Sequence, residues 1–289
     1  MAEVKALACQ LPATLGVPLS RFSRRELRRH VLAQGIVAEI SGTTIWRWLS
    51  QDAIRPWSRR SWVFPRDPDF ASKAVRVLDL YQRLWHDEPL TDDEFVLSAD
   101  EKAGLQIRQR CHPTAAPQPR RAMRVEHEYR RLGTCAYQAA WDVHHARLFG
   151  HVVRRSTIAT FDALVASVMG TQPYRSARRV FWVVDNGTVH RGQRAIQRLR
   201  TQWPRLRLVH LPVHASWLNQ IEIYFSVLQR KALTPDNFDS PKALSHRILA
   251  FQKHYQQIAQ PFEWKFTRKD LQRLLARCPA QIADLPHAA

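Results

Sequence analysis

The order of apolar segments after residue 160 limits the fold of this chain more than any other feature. The pattern predicts a helix, a strand, a helix, a strand and a helix, in that order, at 161–169, 180–184, 191–203, 206–210 and 218–231. Short apolar runs that alternate with helices indicate parallel strands covered by helices on both faces. This part of the chain is therefore predicted to belong to the α/β class.

The preceding segment predicts strands that are not separated by helices. They lie at 95–99, 105–109 and 135–141, with a shorter run at Val152 and Val153, and a loop rich in Pro and Ala at 113–119 divides the second strand from the third. The sheet should therefore be mixed, antiparallel first and parallel later. Two further helices are expected at 242–258 and 268–277.

Residues 1–66 are basic and have a helical pattern. We predict a helix near 3–10, a second at 24–34 that begins with a capping box of Ser23 and Glu26, and a third at 43–49 capped by Ser41. Three short helices in this order are typical of a helix-turn-helix DNA-binding domain with a winged-helix-like character. A helical linker should follow at 67–89, with Asp69 as cap and the helix reaching about Trp85. The expected division is 1–66, 67–89, a mixed α/β domain at 90–275 and a tail at 276–289.

The third helix is the candidate recognition helix. Ile45, Trp48 and Leu49 are expected to face the core, which leaves Thr43, Thr44 and Arg47 exposed for contacts with base edges. The basic segment at 54–62 resembles a wing that lies along phosphates, and its predicted DNA-binding residues are Arg55, Arg59 and Arg60.

The charge balance indicates the kind of partner. The formal net charge is +19 and the isoelectric point is near 10.8. Such an excess is self-repulsive, and double-stranded DNA, with about one negative charge per 1.7 Å, is the commonest polyanion that relieves it. The sequence has neither a long apolar run nor a signal-peptide pattern, so we expect a cytoplasmic protein without a membrane partner.

Three acidic residues are candidates for a metal site. Asp185 follows the apolar run at 180–184, and Glu222 stands in an otherwise apolar stretch. Asp100 directly ends the run at 95–99, and strand alternation should point it and Glu101 to opposite faces. Asp185 could instead belong to a simple turn with Asn186, and Glu222 could be an exposed helix residue. Three carboxylates that share two Mg²⁺ ions could activate a nucleophile and stabilise the leaving oxygen at a phosphodiester.

Four further residues lie in or near these acidic segments. We predict that they steady the DNA strand or a metal-bound water: Asn186, His190, His214 and Asn219. Neither histidine has a partner at metal-ligand spacing, so both are weaker candidates than the acids.

Three motifs give the chain a family resemblance. SADEK at 98–102, VVDNG at 183–187 followed by His190, and HASWLNQIE at 214–222 resemble the acidic motifs of mariner-superfamily bacterial insertion-sequence transposases. The resemblance implies a ribonuclease H-like catalytic domain in which Asp100, Asp185 and Glu222 form a DDE triad that binds Mg²⁺ or Mn²⁺.

The same resemblance implies an activity. It is cut-and-paste transposition, in which terminal inverted repeats are bound, both strands are cut, and the 3′-hydroxyls attack a TA target. A homodimer should hold the paired ends, and the protein should associate with the bacterial nucleoid when bound to DNA.

Residues 1–66 depart from the pattern of the family, and two alternative functions remain open. Such transposases commonly carry two helix-turn-helix units, whereas residues 1–66 supply one, so we expect a shortened chain in which end recognition is weakened. The chain could then be an inactive or domesticated DNA-binding regulator. It could also be a nuclease that acts on RNA in hybrids or on DNA junctions, because one fold hosts several activities.

Overall fold

The computed structural model describes residues 1–59 and 65–278. The chain divides into two compact units, Met1–Phe64 and Pro65–Ala289. Each unit has its own apolar core, and each is described by itself.

The first unit contains three helices, α1 (Ala2–Ala8), α2 (Arg24–Ala33) and α3 (Gly42–Gln51). The predicted capping box is present, since the Glu26 amide donates to Ser23 Oγ at 3.2 Å and the Ser23 amide donates to Glu26 Oε2 at 2.7 Å. Ser41 Oγ accepts from the Thr44 amide at 3.0 Å and so caps α3. These caps satisfy amides that a helix leaves unpaired at its start, which explains why α2 begins at its predicted residue and α3 only one residue before it.

The two faces of α3 differ as expected, with one addition. Ile45 and Leu49 are fully buried, and Trp48 packs against the same core. Thr43 and Arg47 are exposed, whereas Thr44 is half-buried and its hydroxyl lies 2.8 Å from Ser41 Oγ. Trp46 was not predicted to be exposed, yet 48% of its surface is accessible. Arg55 and Arg59 are exposed, and Arg60 lies outside the described residues, as does the end of the predicted wing.

The second unit begins with α4 (Phe70–Tyr81), which is shorter than predicted. The helix does not reach Trp85, because Arg83, His86 and Asp87 adopt positive φ angles of 58°, 52° and 63° that a helix cannot accommodate. Residues after the turn form a small hairpin of β1 (Leu84–Trp85) and β2 (Glu88–Pro89). The Asp69 side chain makes no capping hydrogen bond, so that part of the prediction is wrong. The buried face of α4 packs into the core of this unit.

A five-stranded mixed sheet lies at the centre of the second unit. Its strands are β3 (Glu94–Gln109), β4 (Arg130–Asp142), β5 (Leu148–Val153), β6 (Arg179–Val184) and β7 (Leu206–His210). The order is β5-β4-β3-β6-β7, with antiparallel pairs on the β5 side of β3 and parallel pairs on the β7 side. The predicted change from antiparallel to parallel pairing is therefore confirmed.

Strand β3 corrects one prediction. The segments at 95–99 and 105–109 are parts of one strand, whose register against β4 shifts between Lys102 and Leu105. Gly104 has a φ of 67°, which fits such a bulge, and the polar residues around it conceal the continuity in the sequence. Asp100 therefore lies within a strand and does not end one. Parallel pairing with β6 stops at Ser98 and Val183, two residues before each acid.

Helices cover both faces of the sheet. They are α5 (Ile158–Met169), α6 (Gly192–Gln202), α7 (Ile221–Lys231), α8 (Pro241–Ile258) and α9 (Arg268–Ala276). One apolar core lies between the sheet and α4, α7 and α8, and the other lies under α5 and α6. Helix α7 begins later than predicted, because Ser216–Leu218 form a separate 3-10 turn. Among the residues that the structure describes, no helix is both long and apolar enough to cross a membrane.

Candidate active site

Asp100 lies on β3 and is held by two hydrogen bonds. The Glu101 amide donates to Asp100 Oδ1 at 2.8 Å, and Asn219 Nδ2 donates to Oδ2 at 3.1 Å. Burial, followed by the negative charges of Asp185, Glu101 and Glu222, raises the pKa of Asp100 to about 8. Asp100 is thus a carboxyl group that lacks a compensating cation.

Asp185 follows directly on β6 and has a different environment. The buried His190 donates from Nε2 to Asp185 Oδ1 at 2.5 Å, and the Gly187 amide donates to the same oxygen at 2.7 Å. These bonds, the one from His190 first, lower the pKa of Asp185. The amide contact is the turn that the sequence suggested, so the turn and the acidic site occur together. Asp185 is therefore ionised and fixed in place.

The loop after Asp185 is tightly constrained. A Cβ atom at Gly187 would lie 2.9 Å from Asp185 Oδ1 and 3.2 Å from His190 Nε2, so no larger residue fits without displacing this pair. Asn186 Nδ2 donates to the Leu211 carbonyl at 2.7 Å and ties the loop to the end of β7. His210 Nε2 donates to the His190 carbonyl at 2.8 Å. Asn186 thus stabilises the loop, and His190 contacts the acid directly.

Glu222 lies in the first turn of α7 and is half-buried. Burial raises its pKa, Lys102 acts in the opposite direction, and Asp185 raises it. Since Asp100 also responds to Asp185 and Glu222, the structure gathers the three predicted acids into one electrostatic cluster. Glu101 belongs to the same environment, because burial and then Asp185 raise its pKa. Strand alternation is expected to point Asp100 and Glu101 to opposite faces, yet the charge of Asp185 raises the pKa of both.

A buried polar contact joins β3 to the start of α7. Ser98 Oγ donates to Asn219 Oδ1 and accepts from the Ile221 amide, the latter at 2.9 Å. Asn219 Nδ2 also donates to the Ala99 carbonyl at 3.1 Å, in addition to its bond with Asp100. This network sets the position of Asp100 relative to the helix that carries Glu222. Sequence reasoning missed Ser98, although a small polar residue within an apolar strand is a usable signal.

The loop before α7 is anchored at two further points. Asp67 Oδ2 accepts from the Val213 amide at 2.9 Å, and Tyr81 donates to the Leu218 carbonyl at 2.8 Å. His214 is exposed on this loop, and within the described part of the chain it has no hydrogen-bond or ion-pair partner. The predicted role of His214 therefore stays a prediction.

The donor set fits a hard divalent cation. Mg²⁺ and Mn²⁺ favour carboxylate oxygens, and the cluster offers three carboxylates whose mutual repulsion a cation would relieve. Within residues 1–59 and 65–278, no three His, Cys, Asp or Glu side chains are arranged to hold an ion as they stand. Metal binding by Asp100, Asp185 and Glu222 thus stays a prediction, and it requires the side chains to converge further.

Several solved structures have a similar fold. The chain aligns with a Mos1 mariner paired-end complex with Mn at a TM-score of 0.54 and 13% identity, covering 96% of this chain and 76% of that one. The Mos1 paired-end complex with Mg aligns at a TM-score of 0.52 and 14% identity, covering 90% of this chain and 79% of that one. The Mos1 strand transfer complex aligns at a TM-score of 0.52 and 14% identity, covering 89% of this chain and 77% of that one. At these identities the likeness concerns the fold.

Sequence comparison gives the family. No curated protein is significantly similar to the chain. Residues 96–245 match the family described as DDE superfamily endonuclease, and this segment exceeds half of the chain and contains all three acids. The chain belongs to the DDE superfamily endonucleases.

Proposed function

We propose that this protein is a transposase of the mariner type that binds the terminal inverted repeats of a transposon and carries out cut-and-paste strand cleavage and transfer. Its second unit acts as a ribonuclease H-like catalytic domain of an insertion-sequence element. The observation that carries the proposal is that three acids from separate elements lie within reach of each other's charge. The charges of Asp185 and Glu222 raise the pKa of Asp100, and the charge of Asp185 raises the pKa of Glu222. Asp100 lies on β3, Asp185 directly follows β6, and Glu222 lies in the first turn of α7.

In this proposal the three acids hold two Mg²⁺ or Mn²⁺ ions. When bound, such ions stabilise the attacking and leaving oxygens of a phosphodiester. The surrounding side chains orient the acids: His190 holds Asp185, and Asn219 holds Asp100. Lys102 offsets part of the negative charge at Glu222. Hydrogen bonds from the chain itself thus hold two of the three acids in place.

The first unit is proposed to bind the repeats as a helix-turn-helix domain. Support comes from the exposed Thr43 and Arg47 on one face of α3 and from the exposed Arg55 and Arg59 that follow it. In such domains the recognition helix enters the major groove, while basic residues outside it contact phosphates. A homodimer would pair two ends, as the Mos1 structures are themselves paired-end complexes.

The proposed function is tested by DNA cleavage with the full chain. The substrate is a plasmid that carries the DNA flanking the gene, incubated with Mg²⁺, with Mn²⁺ or with a chelator. We expect cuts at short inverted repeats bounded by TA, free 3′-hydroxyl ends, and no cutting in the chelator.

Two other outcomes would favour the alternatives. Binding to the repeats without any metal-dependent cutting would indicate a DNA-binding regulator. Cutting of hybrids or junctions without preference for the repeats would indicate a structure-specific nuclease.

A further inference from the structure

A cluster of arginines lies at the end of the sheet opposite to the acids. Arg178 precedes β6 and Arg205 precedes β7, whereas Asp185 follows the last residue of β6. Parallel strands start at one edge of a sheet and end at the other. We name this group the arginine edge and define it by five residues: Arg175, Arg178, Arg200, Arg205 and Arg207.

Contacts between these segments bring the arginines together. The Arg205 guanidinium donates to the Arg175 carbonyl, and the Arg205 carbonyl accepts from the Val180 amide at 3.0 Å, next to Arg178 and Arg179. Arg207 Nη1 donates to the Pro204 carbonyl at 2.6 Å. Main-chain acceptors therefore fix the guanidinium groups of Arg205 and Arg207 without neutralising them.

The positive charge of the arginine edge is poorly compensated. Among the described residues, none of its five members has a carboxylate within ion-pair distance, although the adjacent Arg179 pairs with Glu94. Burial, followed by the charges of Arg200 and Arg179, lowers the pKa of Arg207, which is the sign of like charges held close together. Asp93 approaches the edge only through its carbonyl, which accepts from the Arg178 amide at 2.9 Å, and its carboxylate contacts Thr91.

The arginine edge is separated from the catalytic acids by the length of β6. Six strand residues lie between Arg178 and Asp185, which corresponds to roughly 20 Å. At about 3.4 Å per base pair, this distance equals about six base pairs of duplex. A phosphate at the edge is therefore distinct from the phosphate at the acids.

We propose that the arginine edge binds the phosphate backbone of duplex DNA away from the cleavage position. The inference rests on the proposed transposase function, since that reaction needs more DNA than the few nucleotides at the acids. Guanidinium groups with free donors match phosphate geometry, and the contacts would not depend on sequence.

The test compares two variants of equal charge in the full chain. The edge variant carries Arg178→Ala, Arg200→Ala and Arg205→Ala, and the control carries Lys253→Ala, Lys269→Ala and Arg277→Ala, which are exposed on or directly after α8 and α9. Binding to a random-sequence duplex of about three helical turns is measured over a series of KCl concentrations. For the edge variant, the log-log slope should fall by about 2 to 3, at about 0.9 per phosphate contact.

Several results separate this inference from a failure of the proposed function. Restoring charge with Arg178→Lys, Arg200→Lys and Arg205→Lys should restore most of the slope, which a folding defect would not allow. Arg47→Ala should instead weaken binding to the repeats more than to random DNA. Equal slopes for the wild type and the edge variant would overturn the inference, as would an equal loss in the control. The slope is measured without cleavage, so it decides the matter even if the wild type does not cut DNA.

Discussion

Replacement of Asp185 by Ala is expected to abolish metal-dependent DNA cleavage while leaving DNA binding unchanged. The variant removes a carboxylate that is ionised and fixed by His190 and Gly187. Bound metal ions contribute several kcal/mol to such reactions, and about 1.4 kcal/mol corresponds to tenfold in rate. The rate of strand cleavage should therefore fall at least about a thousandfold, as measured on a plasmid that carries the repeats.

The matched control for Asp185→Ala is Asp92→Ala. Asp92 is fully exposed in the same unit and has only a long contact, 4.0 Å, with Arg83. The Asp92→Ala variant should cut DNA at the wild-type rate. A residual cleavage rate in Asp185→Ala within tenfold of the wild type would show that the reaction does not depend on this acid.

Replacement of Asn219 by Ala should increase the Mg²⁺ concentration needed for half-maximal cleavage. Asn219 is buried and holds Asp100, Ser98 and the β3 main chain at once. Loss of a group that orients a metal ligand typically costs about 10- to 100-fold in metal affinity or activity. Cleavage by this variant should recover in part at high Mg²⁺, because the three acids are still present.

Gln252→Ala separates this positioning effect from a loss of stability. Tyr137 on β4 donates to Gln252 Oε1 on α8 at 2.8 Å, and this hydrogen bond includes none of the three acids. Removal of Gln252 deletes one partly buried hydrogen bond and should cost about 1 kcal/mol of stability, whereas Asn219→Ala deletes three hydrogen bonds of a buried side chain and should cost more. The Mg²⁺ requirement should rise only in Asn219→Ala. An equal rise in both variants would mean that Asn219 has a purely structural role.

Apolar periodicity predicted most of the sheet and its helices. Strand β7 has the predicted bounds, and β6 begins one residue earlier than expected. Strand β6 is predictable because nearly all of its residues are buried on both faces, which requires an apolar run. The strand boundary around Asp100 is harder to predict, because polar residues within β3 resemble the end of a strand. The end of α4 was predicted too late, since no pattern of side chains indicates the positive φ angles at His86 and Asp87.

The candidate site was predictable in its acids and less so in its supporting groups. Asp185 and Glu222 stand beside apolar residues, where a carboxylate is conspicuous. A single histidine gives no such signal, so the burial of His190 and its bond to Asp185 required the fold. Likewise, Ser98 and Asn219 are distant in sequence, and only the packing of α7 beside β3 brings them together. His214 is exposed, and its predicted role stays a prediction.

The central claim is that Asp100, Asp185 and Glu222 converge on divalent metal ions. The most direct measurement is the anomalous scattering of Mn²⁺ in crystals of the full chain. We predict Mn²⁺ peaks bounded by these three carboxylates, and their loss in Asp185→Ala crystals. Mn²⁺ bound only elsewhere, or absent from this cluster under conditions in which the protein cuts DNA, would contradict the claim.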